Sequence, residues 1–250
     1  MTIADNIQDI CDAVKEGPLR IGGRGSSRCL GKNPPTLSMQ NFHHLVYYRP
    51  DDLVVRVGAG FLLDELAELT AKDGLCLPIH RGWLGYTGQT VGGLVATGMP
   101  HYHQEQTGAV RDWVTGMSFV TGDGSIVRSG ADVVKSVAGF DIHRALVGSR
   151  GSLAAILEVA LRLKPAGQTD GARAPEPDRP HWASRVPTGW GEGIRDPSGK
   201  WLWTEEPIAL PPYGWSIHPD GRMLGEQSPL AARFRANLKQ ALDPQGVFSE

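Results

Sequence analysis

The sequence predicts a mixed fold of the α/β or α+β class, and three observations lead to that prediction. Short apolar stretches alternate with helix-like stretches along the first 165 residues. Glycine accounts for 32 of 250 residues, well above the usual ~7%. The chain is also long enough to bury one large core or two small ones. These features are typical of a loop-rich domain whose backbone approaches a ligand closely.

The order of the elements supports this class. A helix is predicted over residues 2–16, with Thr2 as its cap, because apolar residues recur there at helical spacing. Strands are predicted at 19–21, 37–39, 44–48, 53–57, 75–78, 108–121, 125–128 and 156–163. Helices are predicted at 62–72, within 86–98, at 142–147, and after Ser228 through Leu242.

The character of the chain changes after Pro165. Eleven of the 18 prolines lie between 165 and 229, and five of the seven tryptophans lie between 182 and 215. A linker or irregular wrap is predicted over 171–187, and short strands at 201–203 and 214–217. The tryptophans are expected to be exposed. The pattern divides the chain into a domain over 1–165 and a reduced cap or linker region over 166–250 that ends in a helix.

Composition excludes several classes of function. The net charge of −2 and the pI of about 6.4 favour neither nucleic acid nor an anionic membrane. The three cysteines form no C-x-x-C pair, which argues against a disulfide framework or a zinc site and favours a reducing compartment. No secretory signal and no apolar run of membrane-spanning length is visible. We therefore expect a cytoplasmic protein, at most peripheral to a membrane through its partners.

The most informative stretch is Pro18–Ser27, where an apolar strand runs into three glycines within four residues. Successive backbone N–H groups of such a loop can face one anion, such as a diphosphate. Ser26 and Ser27 add hydroxyl donors, and Arg24 adds a positive charge. The spacing is not the G-x-G-x-x-G fingerprint that opens a helix. Taken alone, the stretch is either a tight turn or a phosphate cradle of another kind.

Other motifs leave alternatives open. Residues 86–98 contain a short, glycine-flanked apolar helix, which either packs tightly on a sheet or presents backbone to a flat or charged ligand. His101 and His103, with Glu105 following, have metal-like spacing, but no further ligand cluster accompanies them, so a surface loop is favoured and no metal is expected. Arg111 and Asp112 are expected to form a structural pair that fixes their turn, rather than an acid and a base.

Four further residues are weighed in the same way. His80, His181 and His218 each have the chemistry of a general base, but none falls in a recognisable motif, so a structural or solvent-facing position is favoured. Lys135 either neutralises a phosphate or a substrate carboxylate, or is simply solvated. No catalytic residue is therefore assigned.

The order of the motifs resembles the vanillyl-alcohol-oxidase-type (PCMH) FAD-binding fold over residues 17–165. The motifs that carry the resemblance are Pro18–Gly31, Thr90–Gly93, Gly108–Asp112, Gly122–Gly124, Lys135–Asp141 and Gly148–Leu153. Their details are most similar to the FAD-binding (E) subunits of glycolate oxidase, as is the ending Leu242–Phe248. Arg24 departs from this pattern, since the family usually has glycine there.

The resemblance implies an α+β fold in which two subdomains enclose an extended FAD. It implies that Gly23, Gly25, Ser26 and Ser27 hold the diphosphate, and that Gly151–Ile156 lies near the adenosine half. The full set of implied cofactor-binding residues is Gly22, Gly23, Arg24, Gly25, Ser26, Ser27, Thr90, Gly92, Gly93, Gly108, Ala109, Arg111, Asp112, Gly151 and Ile156. Gly92 and Gly93 are expected to form a backbone wall against the isoalloxazine. Binding is expected to be noncovalent, with Cys29 the only nucleophile in the loop.

The implied function is that of the FAD-binding subunit of a glycolate oxidase (glycolate dehydrogenase) complex. Such a subunit oxidises a 2-hydroxy acid to a 2-oxo acid with hydride transfer to the flavin. The implied partners are a homologous flavin subunit and an iron–sulfur subunit, because three cysteines are too few to hold a cluster here. Activity is expected only within the complex, since about 60 proline-rich residues stand where the family has a substrate-covering domain. The alternatives are a non-catalytic assembly or electron-relay subunit, and a stand-alone flavoprotein that oxidises another alcohol.

Overall fold

The structure is a computed structural model that describes residues 2–24, 36–78, 88–130, 141–167, 182–212, 214–217 and 223–249. The helices are α1 (Ile7–Glu16), α2 (Leu63–Ala71), α3 (Val91–Thr97), α4 (Gln104–Thr107), α5 (Val110–Trp113), α6 (Ile142–Leu146) and α7 (Pro229–Leu242). The strands are β1 (Thr2–Ile3), β2 (Ile21–Gly22), β3 (Leu37–Ser38), β4 (Leu45–Arg49), β5 (Val54–Gly58), β6 (Leu75–Cys76), β7 (Val114–Val120), β8 (Ile126–Gly130), β9 (Ala155–Arg162), β10 (Lys164–Pro165), β11 (Trp182–Arg185), β12 (Ile194–Arg195), β13 (Trp201–Thr204), β14 (Trp215–Ile217) and β15 (Met223–Gly225). Segregated helices and mainly antiparallel sheets confirm the α+β class.

The centre of the molecule is a five-stranded antiparallel sheet with the order β4-β5-β9-β7-β8. Strand β9 lies in its middle and is buried on both faces except at Glu158 and Arg162, which are half-buried. One face packs against α2 and α3 through residues such as Val159 and Leu161. The other face packs against α1 and the C-terminal residues through Ala155 and Leu157. The strongly apolar strand predicted at 156–163 is thus the core strand of the fold.

A small parallel sheet with the order β1-β3-β2 lies beside α1. The predicted helix over 2–16 begins too early. Thr2 pairs with Leu37 in this sheet, and the helix instead begins after Asn6. The Asn6 side chain accepts from the Asp9 amide at 3.1 Å while the Asp9 carboxylate accepts from the Asn6 amide at 3.2 Å, which is the reciprocal capping box.

A second correction concerns the strand predicted over 108–121. Residues Val110–Trp113 form the helical turn α5, and the strand β7 begins only at Val114. The turn forms because the Asp112 carboxylate accepts from the Ala109 amide at 2.9 Å. Short polar side chains such as that of Asp112 bind nearby backbone amides, and these bonds favour a turn over strand pairing.

The C-terminal part folds into a second antiparallel sheet with the order β12-β13-β11-β14-β15. The irregular wrap predicted over 171–187 is therefore wrong for 182–185, which is strand β11; residues 168–181 lie outside the described residues. The expected exposure of the tryptophans is also wrong for Trp182, Trp201 and Trp203, which are buried. They are buried because Trp201 and Trp203 join the core that packs against the central sheet.

The last helix begins as predicted. Ser228 caps α7 by accepting from the Ala231 amide at 3.3 Å, and Pro229 occupies the first turn. The chain after α7 returns to the start of the molecule, where Leu19 donates its amide to the Val247 carbonyl at 2.6 Å. Among the helices of the described ranges, none has the length and apolar character needed to cross a bilayer.

Candidate functional site

Three of the predicted cofactor segments converge in the structure. A Cβ on Gly23, at the end of β2, would lie 2.8 Å from the Thr90 hydroxyl, and a Cβ on Gly151 would lie 3.4 Å from Ile21 Cβ. Residues 21–23, Thr90 and Gly151 are therefore neighbours, although some 130 residues separate the first from the last. Gly23 has to be glycine because a side chain there would collide with Thr90.

Close backbone contacts fix the end of β2. Ser38 donates its hydroxyl to the Gly23 carbonyl at 3.0 Å, and the Met39 amide donates to the Gly22 carbonyl at 2.8 Å. Arg24, the next residue, is exposed. Gly25, Ser26 and Ser27 lie outside the described residues, so their predicted role in holding a diphosphate stays a prediction.

The N-terminus of α3 is already satisfied by the protein. The Val91 amide donates to the Phe61 carbonyl and the Gly92 amide to the Ala59 carbonyl, both at 2.8 Å. The Gly93 amide donates to the Thr90 hydroxyl at 3.1 Å. Since the first three amides have protein acceptors, an anion finds no donor there. The donors for a diphosphate must come from another segment.

Gly92 is a position of close packing. A Cβ on Gly92 would lie 2.8 Å from both the Cβ and the carbonyl oxygen of Ala59. Of the two interpretations of this helix, tight packing on a sheet is therefore confirmed at Gly92. Only glycine lets α3 lie so close to Ala59, the residue after β5. Gly93 is half-buried, as Gly92 is, and a Cβ on Gly93 would lie 3.2 Å from the Thr90 hydroxyl. The predicted backbone wall against a flat ligand stays a prediction.

Two buried polar atoms in this region make no hydrogen bond in the described part of the chain: Gln89 Oε1 and Ser149 Oγ. Gln89, next to Thr90, is 4% exposed, and Ser149, two residues before Gly151, is 8% exposed. Buried polar groups are nearly always paired, and leaving one unpaired costs about 1–3 kcal/mol. Both atoms lie on the converging segments, so they fit a bound molecule with many hydrogen-bonding groups, as FAD has.

The turn that carries Ser149 is docked on α3. The Gly148 amide donates to the Val95 carbonyl at 2.9 Å, and the Arg150 amide donates to the Ala96 carbonyl at 2.8 Å. The Lys239 ammonium, on the last turns of α7, donates to the Ser152 carbonyl at 2.6 Å. These bonds hold the turn rigidly against the helix that begins at Thr90.

The predicted turn Gly108–Asp112 is held in place by hydrogen bonds within the protein. The Gly108 carbonyl lies 2.9 Å from His101 Nε2 and accepts from Trp113 Nε1 at 3.3 Å. The expected Arg111–Asp112 pair is wrong: the ion pairs of the described residues do not include it, because Asp112 is engaged with the Ala109 amide instead. Arg111 is exposed.

Ile156, the last residue of the predicted set, is buried in the core and pairs with Phe119 across the central sheet. Its side chain is therefore explained by packing. The burial of Ile156 does not test whether residues 151–156 contact the adenosine half, so that contact stays a prediction.

The segment that follows α3 corrects another expectation. His101 and His103 do not lie on a surface loop, since they are 0% and 6% exposed. Their ring nitrogens pair with the Gly108 carbonyl and with Gln106 Oε1, each at 2.9 Å. Among the described residues, no group of three metal-binding side chains is present. The C-terminal sheet lies close to this segment, since the Tyr102 ring lies 6.1 Å from the Trp203 ring, measured between centroids.

Glu105 joins that sheet to the rest of the molecule. Its carboxylate accepts from Arg185 at 2.7 Å, from Lys200 at 3.1 Å and from the Trp201 indole at 3.2 Å. Burial alone would raise the pKa of this carboxyl. The hydrogen bonds from Arg185, Lys200 and Trp201 outweigh that effect and lower the pKa to about 2.

Several sequence predictions lie outside the described residues. They concern Cys29, His80, Lys135, His181 and His218. Sequence reasoning in turn missed Gln89 and Ser149. Both sit inside recognised motifs, but only the fold shows that their polar atoms are buried and unpaired.

A family model described as "FAD binding domain" matches residues 2–130. Because this match covers more than half of the chain, the protein belongs to that family, and FAD is its cofactor. The converging segments and unpaired buried polar atoms fit that cofactor.

The sequence is also similar to those of several named proteins. The chain is similar to glycolate oxidase subunit GlcE of Escherichia coli (strain K12), with 37% identity over 153 residues, covering 59% of this chain and 43% of that protein. It is 34% identical over 130 residues to a D-lactate dehydrogenase of Anaerostipes hadrus, covering 52% and 27%. It is 26% identical over 156 residues to glycolate oxidase subunit GlcD of Bacillus subtilis (strain 168), covering 61% and 33%. The chain thus spans less than half the length of each of these relatives.

Proposed function

We propose that this protein is an FAD-binding subunit of a glycolate-oxidase-type complex that oxidises a 2-hydroxy acid to the 2-oxo acid. The observation that carries the proposal is that residues 21–23 and Thr90, which lie in the matched FAD-binding domain, converge with Gly151, which lies after it. When bound, FAD supplies the electron-acceptor chemistry for removing a hydride from the substrate carbon.

The chain's own residues bind and orient the cofactor. Strand β2 ends at Gly22, directly before the glycine loop in the sequence. This loop is the proposed source of the diphosphate donors, since the first three amides of α3 already have protein acceptors. Gln89 and Ser149 are proposed to hydrogen-bond the cofactor, which would satisfy their otherwise unpaired atoms. The remaining predicted contacts at Gly108–Asp112 and Gly151–Ile156 are part of the same proposal.

The names of the relatives support the proposed substrate class. Glycolate, D-lactate and D-2-hydroxyglutarate, which the names of similar proteins specify, are all 2-hydroxy acids. The subunit names GlcE and GlcD support assembly with other chains, and we propose a homologous flavin subunit and an iron–sulfur subunit as the partners. We further propose a cytoplasmic location, and a boundary near residue 165 between the FAD-binding domain and the C-terminal region.

The main alternative, a non-catalytic assembly or electron-relay subunit, loses part of its support. It relied on exposed tryptophans in the C-terminal region, yet Trp182, Trp201 and Trp203 are buried. Buried tryptophans indicate that the region is folded onto the FAD-binding part.

The binding part of the proposal is tested by titrating the purified apoprotein with FAD and following flavin fluorescence. We expect Ser149→Ala to weaken FAD binding about tenfold, the equivalent of one hydrogen bond of about 1.4 kcal/mol. The melting temperature of the apoprotein should not fall, because this hydroxyl makes no hydrogen bond there. Ser152→Ala is the matched control, since its hydroxyl donates to the Ser149 carbonyl at 2.6 Å and its loss should lower the melting temperature.

The catalytic part is tested by glycolate- and D-lactate-dependent dye reduction, with the chain alone and with its two proposed partner subunits. Activity that appears only in the assembled complex supports the proposal. A wild-type chain that binds no FAD refutes it, and a complex that binds FAD but reduces no dye with either acid refutes the substrate class.

A further inference from the structure

The most exposed large apolar side chains of the described residues lie on α7. Leu230 is 78% exposed and Phe234 is 62% exposed. They begin a stripe with four-residue spacing, which places its members on one side of a helix. The stripe continues through Leu238, which is partly buried, to Leu242, which is 7% exposed and belongs to the core. A single apolar stripe therefore runs from the core of the protein out into solvent.

Positive charge borders the exposed half of this stripe. Helix α7 carries Arg233, Arg235 and Lys239 and contains no aspartate or glutamate. Since successive residues of a helix are rotated by about 100°, Arg233 lies to one side of Leu230 and Phe234, and Arg235 lies to the other. Lys239 is engaged internally with Asp243 at 2.5 Å. The exposed half is thus an apolar ridge with the exposed Arg233 beside it.

We propose that this ridge, made of Leu230, Phe234 and Arg233, docks into a groove on another protein chain, with two apolar pockets one helical turn apart and carboxylates along the rim. This inference rests on the proposed function, in that the partner is taken to be one of the two proposed subunits. Insertion of an amphipathic helix into a groove uses anchors at this spacing. Opposite charges at the rim then select the partner and speed its association.

Two other occupants fit less well. A second copy of this chain would bring the same basic helix against itself, and like charges across a symmetric contact oppose association. Binding of a helix to a membrane surface requires a broad apolar face, because the binding strength scales with the apolar area buried. Here Leu238 and Leu242 already face the protein, and only two large side chains remain for a bilayer.

The experiment measures the affinity of the purified full-length chain for each purified proposed partner subunit on a biosensor surface. Phe234→Glu and Leu230→Glu place a charge on the ridge. Ala236→Glu is the matched control, since it adds the same charge to the same helix at an exposed position on the opposite side. We expect Phe234→Glu to weaken binding at least ~30-fold, as expected for a hot-spot anchor, while Ala236→Glu matches the wild type. Arg233→Glu should weaken binding and flatten its dependence on salt.

Three results would overturn the inference. The first is equal binding by Phe234→Glu and Ala236→Glu, which would leave the proposed function standing. The second is a wild-type homodimer in analytical ultracentrifugation that Phe234→Glu dissociates. The third is wild-type binding to phosphatidylcholine–phosphatidylserine vesicles that Phe234→Glu abolishes. If the wild-type chain binds neither subunit, both the proposed complex and this docking fail, whereas FAD binding by the chain alone still stands.

Discussion

Glu105 offers the sharpest test of how the C-terminal sheet is held. We consider Glu105→Gln, which keeps the shape of the side chain and removes its charge. The pKa of Glu105 falls from an ordinary value of 4.5 to about 2 in the folded protein, with burial opposing and three hydrogen bonds prevailing. A difference of this size corresponds to at most about 3 kcal/mol of extra stability for the ionised form.

The measurable part should be smaller. The side chain of Glu105 is 23% exposed, but those of Arg185 and Lys200 are 43% and 52% exposed. Water and salt screen such cations, so we expect Glu105→Gln to lose about 1–2 kcal/mol at pH 7. The sign of the pH dependence follows from the lowered pKa. The stabilisation is complete above pH 4.5 and is lost as the pH falls towards 2, because the wild-type carboxyl then becomes neutral like the glutamine.

The assay is urea unfolding between pH 7 and pH 3, followed by tryptophan fluorescence, since Trp201 and Trp203 report on this sheet. Glu192→Gln is the control, because Glu192 is exposed on the same C-terminal region. Two results would refute the reasoning. One is an unchanged free energy of unfolding for Glu105→Gln at pH 7; the other is a loss that stays constant as the pH falls.

Three further predictions concern the candidate site. Gly92→Val should lower the free energy of unfolding by about 2 kcal/mol or more, because a Cβ there lies 2.8 Å from Ala59; a melting temperature equal to that of the wild type would contradict this. Lys239→Met should weaken FAD binding about tenfold through the Ser152 carbonyl that it no longer holds, with Lys239→Arg restoring part of the affinity; unchanged FAD titrations would exclude a positioning role. Arg24→Gly should weaken FAD binding, since Arg24 belongs to the implied cofactor-binding set and its side chain is exposed; an unchanged FAD dissociation constant would show that the arginine takes no part in binding.

Local signals in the sequence predicted the elements well. Ser228 and Pro229 mark the start of α7 because capping depends on neighbouring residues only. The start of α1 was wrong because Thr2 finds its partner at Leu37, and no local pattern reports a pairing across 35 residues. The same limit applies to Glu105, whose partners Arg185 and Trp201 lie about 80 to 100 residues further along the chain.

The candidate site was predicted as motifs but not as an arrangement. Glycines such as Gly23 and Gly92 can be recognised in the sequence, because the fold leaves no room for a side chain at these positions. The reason differs between positions, and only the fold shows that a side chain at Gly23 would meet Thr90, whereas one at Gly92 would meet Ala59. Unpaired atoms such as Ser149 Oγ are invisible in sequence, since pairing is a property of the folded surroundings.

The C-terminal motif Leu242–Phe248 now has a physical explanation. Asp243 is buried and accepts from the amides of Val247 and Phe248, both at 2.8 Å, so it folds the chain back after α7. The returning segment pairs with Leu19, which lies just before the glycine loop.

Helix α7 is thereby tied to both sides of the candidate cofactor site. Its Lys239 bonds the Ser152 carbonyl on one side, and the segment that follows it bonds Leu19 on the other. We therefore expect a partner that binds α7 to affect the chain on either side of the cofactor through these bonds. By linkage, partner binding at the exposed end of α7 and FAD binding at the other end should strengthen each other to the same degree. The affinity of the proposed partner should thus be higher for the FAD-loaded protein than for the apoprotein, and Lys239→Met should reduce that difference.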